Sequence, residues 1–309
     1  MPQQHFSFGY HLNSWDLGGL PLEEGLRFLA DKGFRWFEAL ARDSFSNDFA
    51  RRRMQTGFAD VPEVTLDIDF LRRIALFSRI QAEVGLQLSS LYMNMELINP
   101  TTWPRELDTM QAVARMLVGF GSPVLVLGGG PAATPDHPHE SSDYVAFAAS
   151  LGNIGAYCRD LGIWACYHPH LDCFIESREQ LDRLMEHLDT SRAGLCIDPA
   201  HLVFSGSDPA AVVEDYVAAI RYMHFKDTKL VPGLAGAARY SAFCELGGGV
   251  VDLKAIATSL VAHGYDGLAI IELDVSQKGA EESTIESIAY VRDTLGLEIN
   301  PAVVAELDS

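Results

Sequence analysis

Residues 165–173 read ACYHPHLDC. The apolar run 163–167 leading into them has no polar alternation, and it halts at His168-Pro169-His170. Proline lacks a backbone N–H and cannot carry a sheet ladder onward. The segment therefore reads as a strand buried on both faces, with one histidine as its last residue and a second just past its end. Gly162, directly before the run, is the expected C′ stop of a preceding helix. The unit is thus helix, glycine, buried strand and polar strand end.

The same unit recurs along the chain. Strand-like runs fall at 6–11, 36–40, 87–92, 124–128, 163–168, 194–198, 222–225 and 268–273. Helical patterns separate them at 22–32, 69–84, 109–120, 142–161, 178–187, 209–221, 253–263 and 285–295. Gly33, Gly85 and Gly264 repeat the stop signal. Eight strand–helix units in 309 residues predict one (β/α)8 TIM barrel over 1–309. A doubly wound open sheet is the competing layout. No GxGxxG follows the first strand, however, and the composition does not break at mid-chain. Three connections are longer than a bare barrel needs: 41–66, 128–142 and 228–250. Each follows a strand, so each belongs to the βα loops that build the catalytic face of such barrels.

Composition narrows the function. A formal net charge of −19 argues against nucleic acid or an anionic membrane surface as partner. The five cysteines are odd in number and form no CxxC pair, which fits a reducing compartment. The N-terminus has no basic and apolar leader pattern, and no apolar stretch reaches the roughly 18 residues of a membrane span. The expectation is a soluble, unprocessed, cytoplasmic protein.

The polar residues at the C-terminal strand ends carry the chemistry. They are His11 and Asn13, with Trp15 just after; Glu38; Tyr92 and Asn94; His168 and His170; Asp198, with His201 three residues on; His224, Lys226 and Asp227; and Glu272 and Asp274. In a closed barrel these ends form one ring. Imidazoles and carboxylates from four consecutive strands then converge, which is how a protein holds a catalytic divalent cation with an open position. Gly128-Gly129-Gly130 has no following Lys-Ser/Thr and reads as a flexible loop, while Asp252 reads as a helix N-cap.

CIDPAHLVFSGSDP (196–209), YMHFKDTK (222–229), LGGGVVDL (246–253) and AIIELD (269–274) resemble the sugar isomerase/epimerase family with a xylose isomerase-like barrel. GYHLNSW (9–15) and the YHPH segment extend the resemblance over nearly the whole chain, and YHPH makes it most similar to inosose dehydratases. The resemblance implies a divalent metal, Mn2+ first, with Co2+, Mg2+ and Zn2+ as alternatives. Its implied ligands here are Asp198, His224 and Glu272. The family's fourth ligand is a glutamate at the end of the fifth strand, where this chain has His168. His168 is placed as that ligand, with His170 as rival, and water filling the position as a third option.

The resemblance implies chemistry on a keto-polyol: removal of the proton beside a ketone, then loss of the β substituent. Glu272, His168 or His170 is the candidate base. His201 or Lys226 assists the departing oxygen or holds hydroxyls, and Asp227 orients Lys226 or His224. His11, Asn13, Trp15, Glu38, Asn94 and Asp227 complete the expected substrate contacts, Trp15 being as well explained by packing at the barrel mouth. An imidazole in place of one of two glutamates breaks the symmetry that an epimerase needs, which favours elimination. The alternatives are a ketose 3-epimerase or sugar isomerase, and the metal-bearing subunit of a C-glycoside deglycosidase acting on 3-keto glycosides. For the last, the 41–66 insertion would seat a small partner subunit. The expected partner otherwise is a small keto-sugar or keto-inositol, with a homo-oligomer as a further option.

Overall fold

The computed structural model describes residues 3–41 and 68–301, and in it eight parallel strands close into a barrel. They are β1 (Ser7–His11), β2 (Trp36–Leu40), β3 (Gln87–Met95), β4 (Val124–Gly129), β5 (Trp164–Tyr167), β6 (Ala193–Ile197), β7 (Ile220–Phe225) and β8 (Leu268–Ile271). Each strand pairs with the next, and β8 returns to β1 with Ser7 opposite Leu268 and Tyr10 opposite Ile271. The fold expected from the repeated unit is the fold observed. β5 stops one residue short, at Tyr167, so His168 stands just beyond the strand rather than closing it.

The strands lack polar alternation because both faces are covered. Phe37, Phe77, Ile80, Leu117, Phe147, Leu151, Leu195 and Leu260 belong to the core between sheet and helices. Leu40, Tyr92, Val126, Cys166, Cys196, Tyr222 and Ile270 pack as a separate cluster, contributed by β2 to β8, inside the barrel. β1 supplies Gly9 there, since a Cβ would lie 2.6 Å from Ile270 Cδ1. Side chains alternate along a strand, so a residue two positions on points the same way. Two positions beyond Cys166, Cys196, Tyr222 and Ile270 stand His168, Asp198, His224 and Glu272. The interior packing thereby aims these four groups at the barrel's C-terminal mouth.

Aspartate caps fix three helix starts. Asp198, Asp208 and Asp252 accept from the backbone N–H of Ala200, Ala210 and Ala255 at 2.8, 3.0 and 2.9 Å. The first two are followed by proline at the first helical position, where its missing N–H costs nothing. The short helices Asn13–Asp16 and Pro199–Phe204 were not expected, being too brief to show a helical period. The 228–250 loop is ordered by Asp227–Thr228 pairing antiparallel with Phe243–Cys244, and by a 3-10 segment at Gly236–Ala242. Of the 41–66 insertion only Ala41 falls among the described residues. No helix among the described residues is long and apolar enough to cross a membrane.

Candidate metal centre

Asp198, His224 and Glu272 are buried, and one ligand atom from each lies within 4.8 Å of the other two. Each is held by one atom and leaves another for the site. Asp198 spends Oδ1 on capping the helix Pro199–Phe204, through Ala200 N at 2.8 Å. His224 Nε2 is 2.7 Å from Glu38 Oε2. A carboxylate only accepts, so Nε2 carries the hydrogen and Nδ1 is left for the site. Glu272 Oε1 accepts from Asn13 Nδ2 at 3.0 Å and from Lys226 Nζ at 3.1 Å.

The remaining atoms, Asp198 Oδ2, His224 Nδ1 and Glu272 Oε2, have no hydrogen-bond partner. Nδ1 and Oε2 lie only 2.7 Å apart, yet without hydrogen-bond alignment. Buried polar atoms are almost always partnered. Three orphans of O, N and O character, one per residue and mutually close, fit a divalent cation.

The electrostatics point the same way. Buried carboxylates of Asp198, Glu272 and Asp274 crowd around one ammonium, Lys226. Lys226 Nζ is 2.8 Å from Asp274 Oδ2, 3.1 Å from Glu272 Oε1 and 3.8 Å from Asp198 Oδ2. Burial works to lower its pKa, but these three carboxylates outweigh it and keep the amine charged. Burial pushes Asp198 up to about 7, with Lys226 opposing. Burial also works to raise Glu272, but Lys226, His224 and His11 hold it well below the usual carboxylate range. The difference follows the two Lys226 distances. At His224, burial works downward and is outweighed by Cys196, Glu38 and Glu272, which raise its pKa well above the ordinary imidazole value.

His168 is not part of this triad. It joins instead a group of three imidazoles with His170 and His201, and another group with Cys196 and His224. His168 thus stands in an imidazole wall beside the triad and is tied to it through His224. The ring centroid of His168 is 4.8 Å from that of His224, 5.3 Å from His170 and 5.5 Å from His201. Burial drives the pKa of His168 and of His201 well below the ordinary value, and their imidazole neighbours add to the effect. His11 is lowered by burial too, although Glu272 and Glu38 oppose it. Its Nδ1 accepts from Asn13 N at 3.1 Å.

Three expected substrate contacts sit elsewhere. Asp227 accepts four backbone N–H groups, from Thr228 (2.8 Å) and Val251 (3.1 Å) on Oδ1 and from Gly247 and Gly249 (both 3.0 Å) on Oδ2. The carboxylate is saturated as a loop anchor and orients neither Lys226 nor His224. Trp15 is packed edge-on to Tyr10 and against Phe28, and a Cβ on Gly25 would lie 2.6 Å from its ring, so it is core rather than a sugar wall. Glu38 is fully buried against His224 and acts on that imidazole. Asn94 is half-buried at the rim and accepts from the Tyr92 hydroxyl at 2.7 Å.

Two residues gain roles that the sequence reading left unassigned. Asp274 Oδ1 accepts from Asn13 Nδ2 at 2.8 Å and Asp274 Oδ2 faces Lys226, and its spacing of two from Glu272 was the available signal. Arg239 ties the 228–250 loop to the loop after β5, with NH2 2.5 Å from Asp172 and NH1 2.6 Å from Glu176. Nothing local marks it.

Residues 26–294 match the model of the xylose isomerase-like TIM barrel family. An inosose dehydratase of Geobacillus thermodenitrificans is 31% identical over 158 residues, which is 48% of this chain and 53% of that protein. Another, from Clostridium botulinum, is 25% identical over 271 residues, 80% of this chain and 90% of the relative. The chain therefore spans about half the length of the first of these relatives. The IOLI protein, solved with a zinc atom, superposes with a TM-score of 0.71 at 14% identity, covering 94% of this chain and 98% of that one. An L-ribulose 3-epimerase does so with a TM-score of 0.68 at 16% identity, covering 94% and 95%. At such identities the two solved structures speak for the fold. The sequence match over most of the length decides the family: the chain belongs to the xylose isomerase-like TIM barrels.

Proposed function

We propose that the protein is a metal-dependent lyase of the inosose dehydratase type, acting on a keto-inositol or similar keto-polyol. The observation that carries this reading is the asymmetry of the site, with a carboxylate-rich triad on one side and a wall of buried imidazoles on the other. Asp198, His224 and Glu272 would hold the ion, Mn2+ first. Bound there, a divalent cation supplies Lewis acidity toward a keto oxygen. Glu272, kept ionised by Lys226 and held at Oε1 by Asn13, is also the candidate base for the proton beside the ketone. The C–O bond to the β-hydroxyl then breaks on the side of His168, His170 and His201, and the departing oxygen with the abstracted proton makes water. Lys226 is packed 4.2 Å over the Phe243 ring, so its charge is fixed in place rather than flexible. Five buried cysteines, with no CxxC pair in the sequence, support a reducing, cytoplasmic setting.

Incubation with 2-keto-myo-inositol and Mn2+ in D2O tests the reading. Absorbance of a conjugated dione with loss of water is the expected result. Deuterium incorporation without loss of water would replace it with the 3-epimerase reading. Metal removal should abolish turnover and Mn2+ restore it; an Asp198→Ala variant that stays active refutes a role for the triad. The C-glycoside reading rested on the 41–66 insertion, nearly all of which lies outside the described residues.

A further inference from the structure

We infer that His168, His170 and His201 form a second divalent-cation site, of all-nitrogen character, beside the Asp198–His224–Glu272 triad. One ring nitrogen from each of the three lies within 4.8 Å of the other two. They are 2%, 2% and 1% exposed, so water does not solvate them from outside. Both nitrogens of His201 and Nδ1 of His168 lack a hydrogen-bond partner. A buried imidazole with neither nitrogen partnered is a rare arrangement and needs a ligand to satisfy it.

His170 supplies an independent sign. Its Nδ1 is 2.8 Å from the carbonyl of Leu171. A carbonyl only accepts, so Nδ1 carries the hydrogen and the lone pair sits on Nε2. An N–H given to a backbone carbonyl, fixing the tautomer and aiming the other nitrogen, is the usual support of a metal-bound histidine. The loop holds it there, since His170 N also donates to Ile175 O at 2.9 Å. Neutral imidazoles without carboxylates select borderline ions such as Zn2+ or Co2+ over Mg2+ or Mn2+. The two centres abut: Asp198 Oδ2 is 3.4 Å from His201 Nε2.

The inference deepens the proposed lyase reading and rests on it only for its use. The three imidazoles line the side on which the C–O bond breaks, and a cation held by them would supply Lewis acidity toward the departing oxygen, which leaves as water with the proton that Glu272 took. The site itself stands on the three imidazoles.

Metal-depleted full-length protein is titrated with Co2+ and with Zn2+, reading bound equivalents by elemental analysis and the Co2+ d–d absorption. Two equivalents per chain are expected in the wild type. His201→Gln and His170→Gln should each leave one, and Glu272→Gln should also leave one, lost on adding His201→Gln. One equivalent in the wild type overturns the inference, and this result needs no variant to fold. Two equivalents that survive both histidine substitutions overturn it as well. Occupancy of the wall by substrate hydroxyls instead would appear as one equivalent with or without 2-keto-myo-inositol. Two bound ions with no dehydration would sink the lyase reading while leaving the site intact.

Discussion

Replacing Asp227 by asparagine tests whether this residue is an anchor rather than a substrate contact. Its carboxylate accepts four backbone N–H groups, and it is fully buried. An Asn side chain keeps one acceptor oxygen and presents an amide N–H2 where the other was. The Oδ1 side serves Thr228 and the buried Val251, so the amide nitrogen settles on the Oδ2 side, against Gly247 N and Gly249 N. Two donors then face a donor. A buried group left unsatisfied costs roughly 1–3 kcal/mol, and partial water access at Gly247 keeps the total near the low end, about 2–4 kcal/mol. Unfolding entropy of about 2.1 cal/mol/K per residue gives the chain roughly 0.65 kcal/mol/K, so Tm should fall by about 3–6 °C. Calorimetry of wild type and variant at one scan rate reads this directly. Gly249→Ala should act on the same anchor, since its Cβ would come within 2.2 Å of Asp227 Oδ1 and 2.3 Å of the Thr228 carbonyl. A Tm unchanged within about 1 °C in both variants would refute the anchor and return Asp227 to the substrate.

Three further outcomes follow from the geometry. Glu38→Gln removes the carboxylate that fixes the His224 tautomer, and should weaken metal retention about 10–100-fold with the fold intact, as measured by competition with a chelator. Arg239→Ala unties the 228–250 loop from Asp172 and Glu176; it should raise KM more than it lowers kcat and cost roughly 1 kcal/mol or less, because the pairs are only partly buried. Metal-free protein should lose stability as pH falls from about 7 to 5. There the unfolded chain protonates His11, His168 and His201, while the folded chain, whose pKa values for them are lowered, does not. Asp198, raised to about 7, binds its proton in the folded state and offsets one of the three. His224, raised, holds its proton in the fold throughout that window, and its contribution is lost only as pH rises through the folded value. The balance grows from near zero at pH 7 to about two protons at pH 5, or roughly 3 kcal/mol per pH unit at that end, read by urea titration across pH; stability that is flat down to pH 5 would mean the imidazoles are not desolvated.

The barrel was legible because its strands are buried on both faces and its helices end on glycine. Each of the eight strands appears where an apolar run, in most cases unalternating, predicted it, β2 over the same 36–40 span. Asp198, His224 and Glu272 were legible as polar strand ends that the family resemblance singled out as ligands; the structure adds that interior strand positions are spaced by two, so a polar residue two beyond a packed interior residue faces the barrel mouth. What escaped was partnership. Glu38 and His224 are 186 residues apart and meet only once the barrel is closed. Asp227 reads like its neighbours His224 and Lys226, but it lies one step out of register with both. It therefore turns to the backbone N–H groups of 247–251 instead of to the site.

That register argument also bears on the histidines that end the fifth strand. His168 stands two positions past Cys166 and His170 two past His168, so both keep to the interior side, and Pro169 between them turns away. A glutamate at 168 would have faced Glu272 across the mouth, giving matched carboxylates on the two faces of a bound ring. The imidazole there packs edge-on to its own kind instead, with His170 at 5.3 Å and His201 at 5.5 Å between centroids. Moving a proton from one face of a carbon to the other calls for two bases of like strength, and this mouth offers an ionised carboxylate opposite neutral imidazoles. Breaking a C–H bond on one side and a C–O bond on the other calls for two unlike groups, which is what the exchange of one glutamate for a histidine supplies. The pairing supports elimination over epimerisation, and it makes His168→Glu the informative reverse substitution. That variant should lose dehydration of 2-keto-myo-inositol while retaining deuterium exchange beside the ketone. If dehydration persists at the wild-type rate, the identity of residue 168 is not what sets the reaction.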